Sequence, residues 1–335
     1  MLCQVTTWKG ESMKHATRTV LAIALLAGTF ADGSAQESYP ARTVRIIVPT
    51  AAGGPSDRAA RLIAQEFSKR SGRQVIVETR PGAGTIIGSD AVAKAAPDGY
   101  TLLLSPSTLA INPASYRKMP YNALTDFAPI TQTHFVPNLF VVHPSLPVKS
   151  TREFIAFAKA RPNEILYGSS GHGTNPHLTV ELFASMAKIK LYHVPYKGTA
   201  PGLTDLLAGR VVVLATSSVA LLMPHVKVGK LRALGVSSLK RSEALPDVPS
   251  ISETVPGYES VQWSALMAPA ATPADIIARL HKETVSILRM AEIRNSLASE
   301  SAEIVGGFPE ELAAFLRAET TKWAKVAKAA GVEPQ

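Results

Sequence analysis

Cysteine is almost absent from this 335-residue sequence, and the single one, Cys3, lies near the N-terminus. It precedes an apolar segment with the features of a removable leader, so we expect the mature chain to contain no thiol and no disulfide. This absence excludes cysteine-ligated metal sites and thiol redox chemistry from the mature protein. A chain of about 300 residues buries enough apolar surface to be stable without disulfides.

Long hydrophobic runs and clustered basic charge are also lacking. No stretch supplies the roughly 20 uninterrupted apolar residues that a membrane-spanning helix needs. Lysine and arginine outnumber the acidic residues, 35 to 26, for a net charge of +9. The densest basic segments, residues 227–232 and 240–241, are not interleaved with aromatic residues. We therefore expect no nucleic-acid partner and interpret the positive surplus as an attraction for small anions.

The N-terminus has the pattern of a secretory signal peptide. Two basic residues precede the apolar run 19–30, and small residues follow it. We predict that residues 1–35 form the signal peptide, that cleavage occurs near Ala35, and that the protein is periplasmic. Met13 is a better start for such a leader than the first methionine, so residues 1–12 are interpreted as an upstream extension.

A strand, a glycine turn and a helix follow one another at residues 43–61. The β-branched run 43–48 predicts a strand, and the helix is expected to begin near Ser56. Between them lies Thr50-Ala51-Ala52-Gly53-Gly54, whose small residues allow a tight turn. Backbone N–H groups at the start of a helix bind anions, so this turn is a candidate carboxylate or phosphate site. Two alternatives stay open: an ordinary strand-to-helix turn, and a structural role for Asp57 as a first-turn acid.

A second turn of the same kind lies more than a hundred residues later. A short strand at 165–167 leads into a loop rich in glycine and hydroxyl groups, residues 168–174, and a helix is predicted over 175–188. If both turns face one cleft, a ligand is held between two lobes, which is a common place for a small-molecule site.

Strand-like and helical segments alternate along the mature chain, which predicts an α/β fold. Near-continuous apolar runs such as 211–215 favour mostly parallel sheets with helices on both faces. The predicted strands are 43–48, 74–78, 101–104, 139–142, 165–167, 191–194, 211–215, 231–236 and 260–268. The predicted helices are 56–71, 86–95, 151–160, 175–188, 200–208, 219–228, 274–290, 291–299 and 309–330.

Several short strings, in this order and spacing, carry a family resemblance over residues 39–332. They are Val48-Pro49 with Ala51-Ala52-Gly53-Gly54 and Asp57, Arg80-Pro81-Gly82-Ala83-Gly84, Pro97-Asp98-Gly99-Tyr100-Thr101-Leu102, Ala110-Ile111-Asn112-Pro113, Tyr167-Gly168-Ser169 with Gly171 and Gly173, His193-Val194-Pro195-Tyr196-Lys197-Gly198, Gly229-Lys230-Leu231-Arg232-Ala233-Leu234 and Leu245-Pro246-Asp247-Val248-Pro249. The chain resembles the Bug-type extracytoplasmic receptors, the solute-binding components of tripartite tricarboxylate transporters.

The resemblance implies a two-lobed, type II periplasmic-binding-protein fold that closes on a small carboxylate for uptake or sensing. It implies a first domain of residues 36–140 with 250–335 and a second of 141–249. Expected partners are the ligand and either membrane transporter subunits or a sensor. We expect a monomer with no cofactor.

The resemblance also implies a set of ligand-binding residues, carried over position by position. They are Thr50, Ala51, Ala52, Gly53, Gly54, Asp57, Ser107, Thr108, Ser169, Gly171, Gly173, Thr174, Tyr196, Thr199 and Ser217. Where related receptors often carry an acidic or aromatic pair, this chain has only small and hydroxyl residues at 214–218. An acidic amino acid is therefore a less suitable ligand, because its ammonium group would lack a carboxylate partner.

An exported enzyme on a similar scaffold is the alternative function. Serines and histidines in the second turn invite a nucleophile-and-base interpretation, but Ser170 lacks the glycine on its C-terminal side that a hydrolase elbow requires. His172 and His177 are five residues apart across Pro176, which is not the spacing of a helical zinc pair. We therefore predict no catalytic residues and no metal ligands.

Overall fold

The computed structural model describes residues 1, 2, 4, 39–299 and 301–334 of the chain. The predicted signal peptide, its cleavage point and Cys3 lie outside the described residues, apart from residues 1, 2 and 4. Contacts divide the chain into two compact units, Met1–Ala41 and Arg42–Gln335, and the fold below is that of the second. Among the described residues, no helix combines the length and apolarity needed to cross a membrane.

The described residues form eleven strands and ten α-helices. The strands are β1 (Val44–Val48), β2 (Val75–Thr79), β3 (Thr101–Pro106), β4 (Phe127–Pro137), β5 (Leu139–Val142), β6 (Leu166–Ser169), β7 (Tyr192–Pro195), β8 (Val213–Thr216), β9 (Arg232–Val236), β10 (Val261–Pro269) and β11 (Glu303–Ile304). The helices are α1 (Pro55–Ser71), α2 (Ile86–Ala93), α3 (Thr108–Ser115), α4 (Thr151–Lys159), α5 (Asn175–Ala187), α6 (Thr199–Leu207), α7 (Val219–Lys227), α8 (Ala274–Leu288), α9 (Ala291–Ala298) and α10 (Pro309–Ala329). Short 3₁₀ turns occupy Ala83–Thr85 and Ile251–Glu253.

The strands form two separate sheets, so the molecule has two lobes. The first sheet has the order β11-β4-β10-β3-β1-β2, and the second has the order β7-β6-β8-β5-β9. Helices flank both sheets, which confirms the predicted α/β class and two-lobed architecture. We call the lobe built on the first sheet lobe 1 and the lobe built on the second sheet lobe 2.

The prediction of mostly parallel sheets was wrong. Of the strand pairs among the described residues, four are parallel and five are antiparallel. The parallel pairs join β1 with β2 and β3, and β6 with β7 and β8, whereas β4, β5, β9, β10 and β11 run antiparallel to their neighbours. An apolar run shows that a strand is covered on both faces, but it does not report the direction of the neighbouring strand.

The sequence prediction missed three elements: β4, β11 and α3. Strand β4 contains Pro129 and polar residues, and its pairing with β10 shifts register at Ser264/Ala265 and Leu266/Met267. Helix α3 contains Pro113 and follows directly on β3. Proline lowers the strand propensity of β4 and the helix propensity of α3, but tertiary packing stabilises both elements.

The chain crosses between the lobes at two places that lie side by side. Asn138 joins β4 to β5, and its backbone N–H donates to Ser237 Oγ at 2.8 Å. Asn138 Nδ2 donates to the carbonyl of Ser260 at 2.9 Å, and the N–H of Ser260 donates to the carbonyl of Ser237 at 3.0 Å. We propose lobe boundaries at Asn138 and Ser260, because Ile251 and Tyr258 pack into the core of lobe 2.

Each sheet has its own hydrophobic core, and α5 contributes to both. Val180 and Phe183 lie in the core of lobe 2 with Tyr167 and Phe140. Leu178, on the same helix, lies in the core of lobe 1. The start of α5 is therefore positioned where the two lobes meet.

Candidate functional site

The predicted site residues of lobe 1 follow two neighbouring parallel strands. β1 pairs in parallel with β3, with Ile46 opposite Leu102. The segment from Thr50 to Gly54 follows β1, and Ser107 and Thr108 follow β3. Ligands of open α/β sheets bind at the carboxyl ends of such strands, so both loops emerge at a suitable edge.

The predicted site residues of lobe 2 follow three neighbouring parallel strands, β6, β7 and β8. Hydrogen bonds join their loops. The N–H of Tyr196 donates to the carbonyl of Ser169 at 3.0 Å, and the N–H of Gly198 donates to the carbonyl of Ser170 at 3.3 Å. Thr199 Oγ1 lies 3.4 Å from Thr216 Oγ1, which precedes Ser217. These loops form one continuous edge.

The loop after β1 is held from within by Asp57. The N–H of Gly53 donates to Asp57 Oδ2 at 2.8 Å, and Arg61 contacts both carboxylate oxygens, at 3.1 and 3.0 Å. Burial of the Asp57 carboxyl would raise its pKa, but the hydrogen bonds from Arg61 and Gly53 lower it below its ordinary value. These contacts give Asp57 a part in holding the loop, and they use the Gly53 N–H within the protein.

The loop after β6 is held by neutral groups instead. The N–H of Gly171 donates to Ser169 Oγ at 3.1 Å, and the N–H of Gly173 donates to His177 Nδ1 at 3.0 Å. Thr174 Oγ1 donates to the carbonyl of Gly171 at 2.7 Å. Gly171 and Gly173 have φ values of 138° and 71°, which favour glycine. In this loop too, the glycine N–H groups are used internally.

The starts of α1 and α5 remain open to an anion to different degrees. The residues that precede these helices, Gly54 and Thr174, make no side-chain capping hydrogen bond. First-turn N–H groups have no intrahelical acceptor and carry the positive end of the helix dipole. The first turn of α1 already contains Asp57, whereas the first turn of α5 contains no acidic residue. The α5 end is therefore the stronger attractor for a negative charge.

Both lobes contribute to one small cavity of about 110 Å³. Its lining residues are Gly84, Thr108, Asn112, Ser115 and Tyr116 of lobe 1, His172, Gly173 and Thr174 of lobe 2, and Val332 and Glu333 near the C-terminus. The Oγ atom of Ser115 is buried and forms no hydrogen bond to any residue that the structure describes. A Cβ atom at Gly173 would lie 3.1 Å from this Oγ, so a side chain there would crowd Ser115.

The structure thus brings together three of the predicted residues, Thr108, Gly173 and Thr174. Among the described residues, those at 50–54, 57, 196, 199 and 217 do not line this cavity. Ser107 is fully buried, and its hydroxyl donates to Gln262 Oε1 at 2.9 Å. The Tyr196 hydroxyl donates to the Asp205 carboxylate at 2.8 Å, so its hydrogen bond lies within lobe 2.

Sequence reasoning missed Asn112, Ser115 and Tyr116, which lie on or directly after α3. Asn112 Nδ2 donates to the carbonyl of Gly84 at 2.8 Å, and Thr108 Oγ1 lies 2.8 Å from Thr85 Oγ1. These bonds tie α3 to the Ala83–Thr85 turn. The string Ala110-Ile111-Asn112-Pro113 was a signal in this region, but no helix was predicted there to place Ser115 one turn further on.

Comparison with known proteins gives a consistent result over almost the whole chain. A family model described as the tripartite tricarboxylate transporter family receptor, TctC, matches residues 59–332. Protein BugT of Bordetella pertussis (strain Tohama I) is 36% identical over 310 residues, which cover 92% of this chain and 94% of BugT.

Two solved structures extend the similarity to the fold. R. palustris Rpa4515 with adipate has a TM-score of 0.75 and 37% identity, over 89% of this chain and 100% of that one. MatC (Rpa3494) from Rhodopseudomonas palustris with bound malate has a TM-score of 0.69 and 30% identity, over 86% of this chain and 99% of that one.

Proposed function

Because the chain belongs to the tripartite tricarboxylate transporter receptor family, we propose that it captures a small carboxylate between its two lobes in the periplasm. It then delivers the ligand to membrane transporter subunits or to a sensor. Similar proteins bind adipate and malate, which supports a small aliphatic carboxylate as the ligand class. The predicted leader supports export of the chain.

The observation that carries this proposal is the cavity lined from both lobes. Its volume of about 110 Å³ suits a small solute, since pockets for drug-sized ligands measure roughly 300–1,000 Å³. The buried Ser115 hydroxyl has a hydrogen bond to offer and no described protein partner. An unpaired buried polar group costs free energy, so a bound carboxylate oxygen would satisfy it.

We place the carboxylate of the ligand at the start of α5, beside Gly173 and Thr174. The helix dipole and the acid-free first turn favour a negative charge there. Glu333 adds a negative charge to the cavity wall, so we place the ligand carboxylate at the helix start and not beside this side chain.

In this proposal the remaining predicted residues shape the loops around the cavity and do not line it. The segment 50–54 and Ser107 shape the lobe 1 side, while Ser169, Gly171, Tyr196, Thr199 and Ser217 shape the lobe 2 side. The hydrogen bonds of Gly53, Ser107, Ser169, Gly171 and Tyr196 within the protein support a part in positioning the loops. Thr50 Oγ1 is buried and has no hydrogen-bond partner among the described residues.

Capture works through a shift of population toward the closed form. A ligand that touches both lobes at once interacts more strongly with the closed arrangement than with an open one, and only this difference in affinity drives closure. The paired crossings at Asn138 and Ser260 are the natural hinge, because few backbone segments must rotate there.

A thermal-shift and calorimetric screen against mono-, di- and tricarboxylates, aromatic acids and amino acids tests the proposal. We expect stabilisation that grows with ligand concentration, as for any ligand that binds only the folded state. The variant Ser115→Ala should weaken binding about tenfold, the effect of losing a hydrogen bond to a charged group. Ser296→Ala, at an exposed position on α9, is the matched control and should bind normally. Equal affinity in both variants would remove this cavity from the site.

The enzyme alternative has one observation in its favour, the 2.6 Å contact between Ser169 Oγ and His193 Nε2. However, Ser169 is fully buried, and its hydroxyl is already part of the Gly171 turn. A nucleophile must reach its substrate, so we propose that this pair positions the loop and that the protein is not an enzyme. Turnover of any carboxylate ester or amide that disappears in Ser169→Ala would reverse this assignment.

A further inference from the structure

Three histidines that are distant in sequence meet on lobe 2 beside the loop after β6. The ring centroids of His177 and His193 are 3.9 Å apart, and that of His172 lies 4.9 Å from His177 and 5.9 Å from His193. Each ring offers one nitrogen such that the three nitrogens lie within 4.8 Å of one another. Sequence spacing could not show this cluster, because His193 comes from β7, a separate strand.

We propose that His172, His177 and His193 bind a divalent late transition-metal ion of the zinc class. Imidazole nitrogen suits Zn²⁺, Ni²⁺ and Cu²⁺, and three histidines form a familiar zinc ligand set. In a tetrahedral site with Zn–N bonds of about 2.0–2.1 Å the nitrogens lie about 3.4 Å apart, so nitrogens that lie up to 4.8 Å apart must approach by about 1.4 Å.

The three side chains differ in burial in the way that an accessible ion site requires. His172 is exposed, His193 is half-buried and His177 is buried, which gives an ion a route from solvent inward.

The surroundings supply room for an ion and a carboxylate in the same cavity wall. The cluster lines a cavity of about 430 Å³, and Glu181 lies in the same wall. The Glu181 carboxylate accepts a hydrogen bond from the Tyr167 hydroxyl, which orients it. An ion with three imidazoles and one water molecule would be four-coordinate and tetrahedral.

Binding requires adjustments within the cluster. The rings lie face to face or tilted, whereas metal bonds lie in the plane of an imidazole, so the exposed His172 must turn toward the ion. His177 Nδ1 accepts the Gly173 N–H, and His193 Nε2 contacts Ser169 Oγ at 2.6 Å. An ion bound through either of these nitrogens competes with that contact, so metal binding is measured directly and not through carboxylate affinity.

Isothermal titration of the untagged, chelator-treated protein with Zn²⁺ alone tests the proposal. We expect one ion per chain, and visible absorption bands of tetrahedral Co²⁺ when Co²⁺ replaces Zn²⁺. His172→Ala and His193→Ala should each weaken binding more than the 10- to 100-fold that loss of an outer-shell partner costs. His225→Ala, a histidine on α7 outside the cluster, is the matched control and should bind normally.

The outcome does not depend on the carboxylate. Thermal unfolding of His172→Ala should match that of the wild type, because this side chain is exposed. Absence of saturable Zn²⁺ binding by the wild type overturns the proposal. So does wild-type affinity in both His172→Ala and His193→Ala.

Discussion

The two lobes present loops of the same design, but they stabilise them with different chemistry. In lobe 1 a buried carboxylate, Asp57, accepts the loop N–H and is neutralised by Arg61. In lobe 2 the Ser169 hydroxyl accepts the N–H of Gly171, and the neutral His177 imidazole accepts the N–H of Gly173. Both helices that follow begin without a side-chain cap.

The difference indicates how one negatively charged ligand is divided between two similar loops. A carboxylate in the loop partly cancels the positive electrostatic potential at the start of the helix that follows. A loop held by neutral groups leaves that potential available to a ligand. We infer that lobe 2 holds the charge of the ligand and that lobe 1 contributes hydroxyl and amide groups from α3. Variants that change the internal partner in one lobe at a time test this comparison.

The largest effect is expected from Asp57→Ala. This change leaves the Gly53 N–H without its acceptor and removes the pair with Arg61, so we expect a loss of about 1–3 kcal/mol in the free energy of unfolding. Urea denaturation measures it. Asp90→Ala is the matched control, because Asp90 forms a pair of the same i,i+4 spacing with Lys94 on a more exposed helix surface. Its cost should stay within about 0.5 kcal/mol. Similar losses in both variants would contradict a special role for Asp57.

The second-largest effect is a loss of stability at low pH, caused by the neutral imidazole of His177 in lobe 2. Burial lowers the pKa of His177 to about 3, so between pH 6.5 and that value the unfolded chain binds the extra proton and the folded chain does not. The free energy of unfolding should therefore fall as the pH drops below 6.5, by on the order of 2 kcal/mol per such histidine at pH 5. In His177→Gln the fall should be smaller, as measured by urea denaturation at several pH values.

A histidine in lobe 1 provides the control for this acid effect. His134 is buried in β4, and burial lowers its pKa to about 4. His134→Gln should reduce the pH dependence in a similar way but leave carboxylate affinity unchanged, since it lies outside both loops. If His177→Gln also leaves the affinity unchanged, the lobe 2 loop does not hold the ligand.

The smallest effect comes from one substitution made at two adjacent glycines. Gly53 has a φ of 82°, whereas Gly54 has a φ of −76° and precedes α1. Gly53→Ser should cost about 1 kcal/mol through backbone strain. Gly54→Ser should gain a few tenths of a kcal/mol as a helix cap. Thermal unfolding of the two variants measures the contrast, and equal stabilities would argue against a positive φ requirement at residue 53.

Much of the fold could be predicted from local patterns. The nine predicted helices all correspond to observed ones, because amphipathic runs bounded by proline and glycine report helices well. Strand β4 was missed because Pro129 and His134 make a central strand look like a loop. The direction of strand pairing was also misjudged, since it depends on where the chain returns and not on which residues a strand contains.

The candidate site also contains residues that the sequence could predict and residues that it could not. Of the residues that the family resemblance predicts for the ligand, Thr108, Gly173 and Thr174 come together in one cavity. The resemblance gave no indication of Ser115, whose buried hydroxyl has no hydrogen-bond partner among the described residues. It also assigned Asp57 and Tyr196 to the ligand, although their polar atoms contact Gly53, Arg61 and Asp205.

The sequence by itself determined the α/β class, the two loops and the receptor family, because strand and helix periodicity and glycine spacing are local properties of the chain. Only the tertiary structure decided which groups meet: Ser115 with Gly173, the internal acceptor of each loop, and the three histidines from different segments. The physical reason is that contact between residues far apart in sequence depends on the packing of two sheets and on α5, which is shared by both cores.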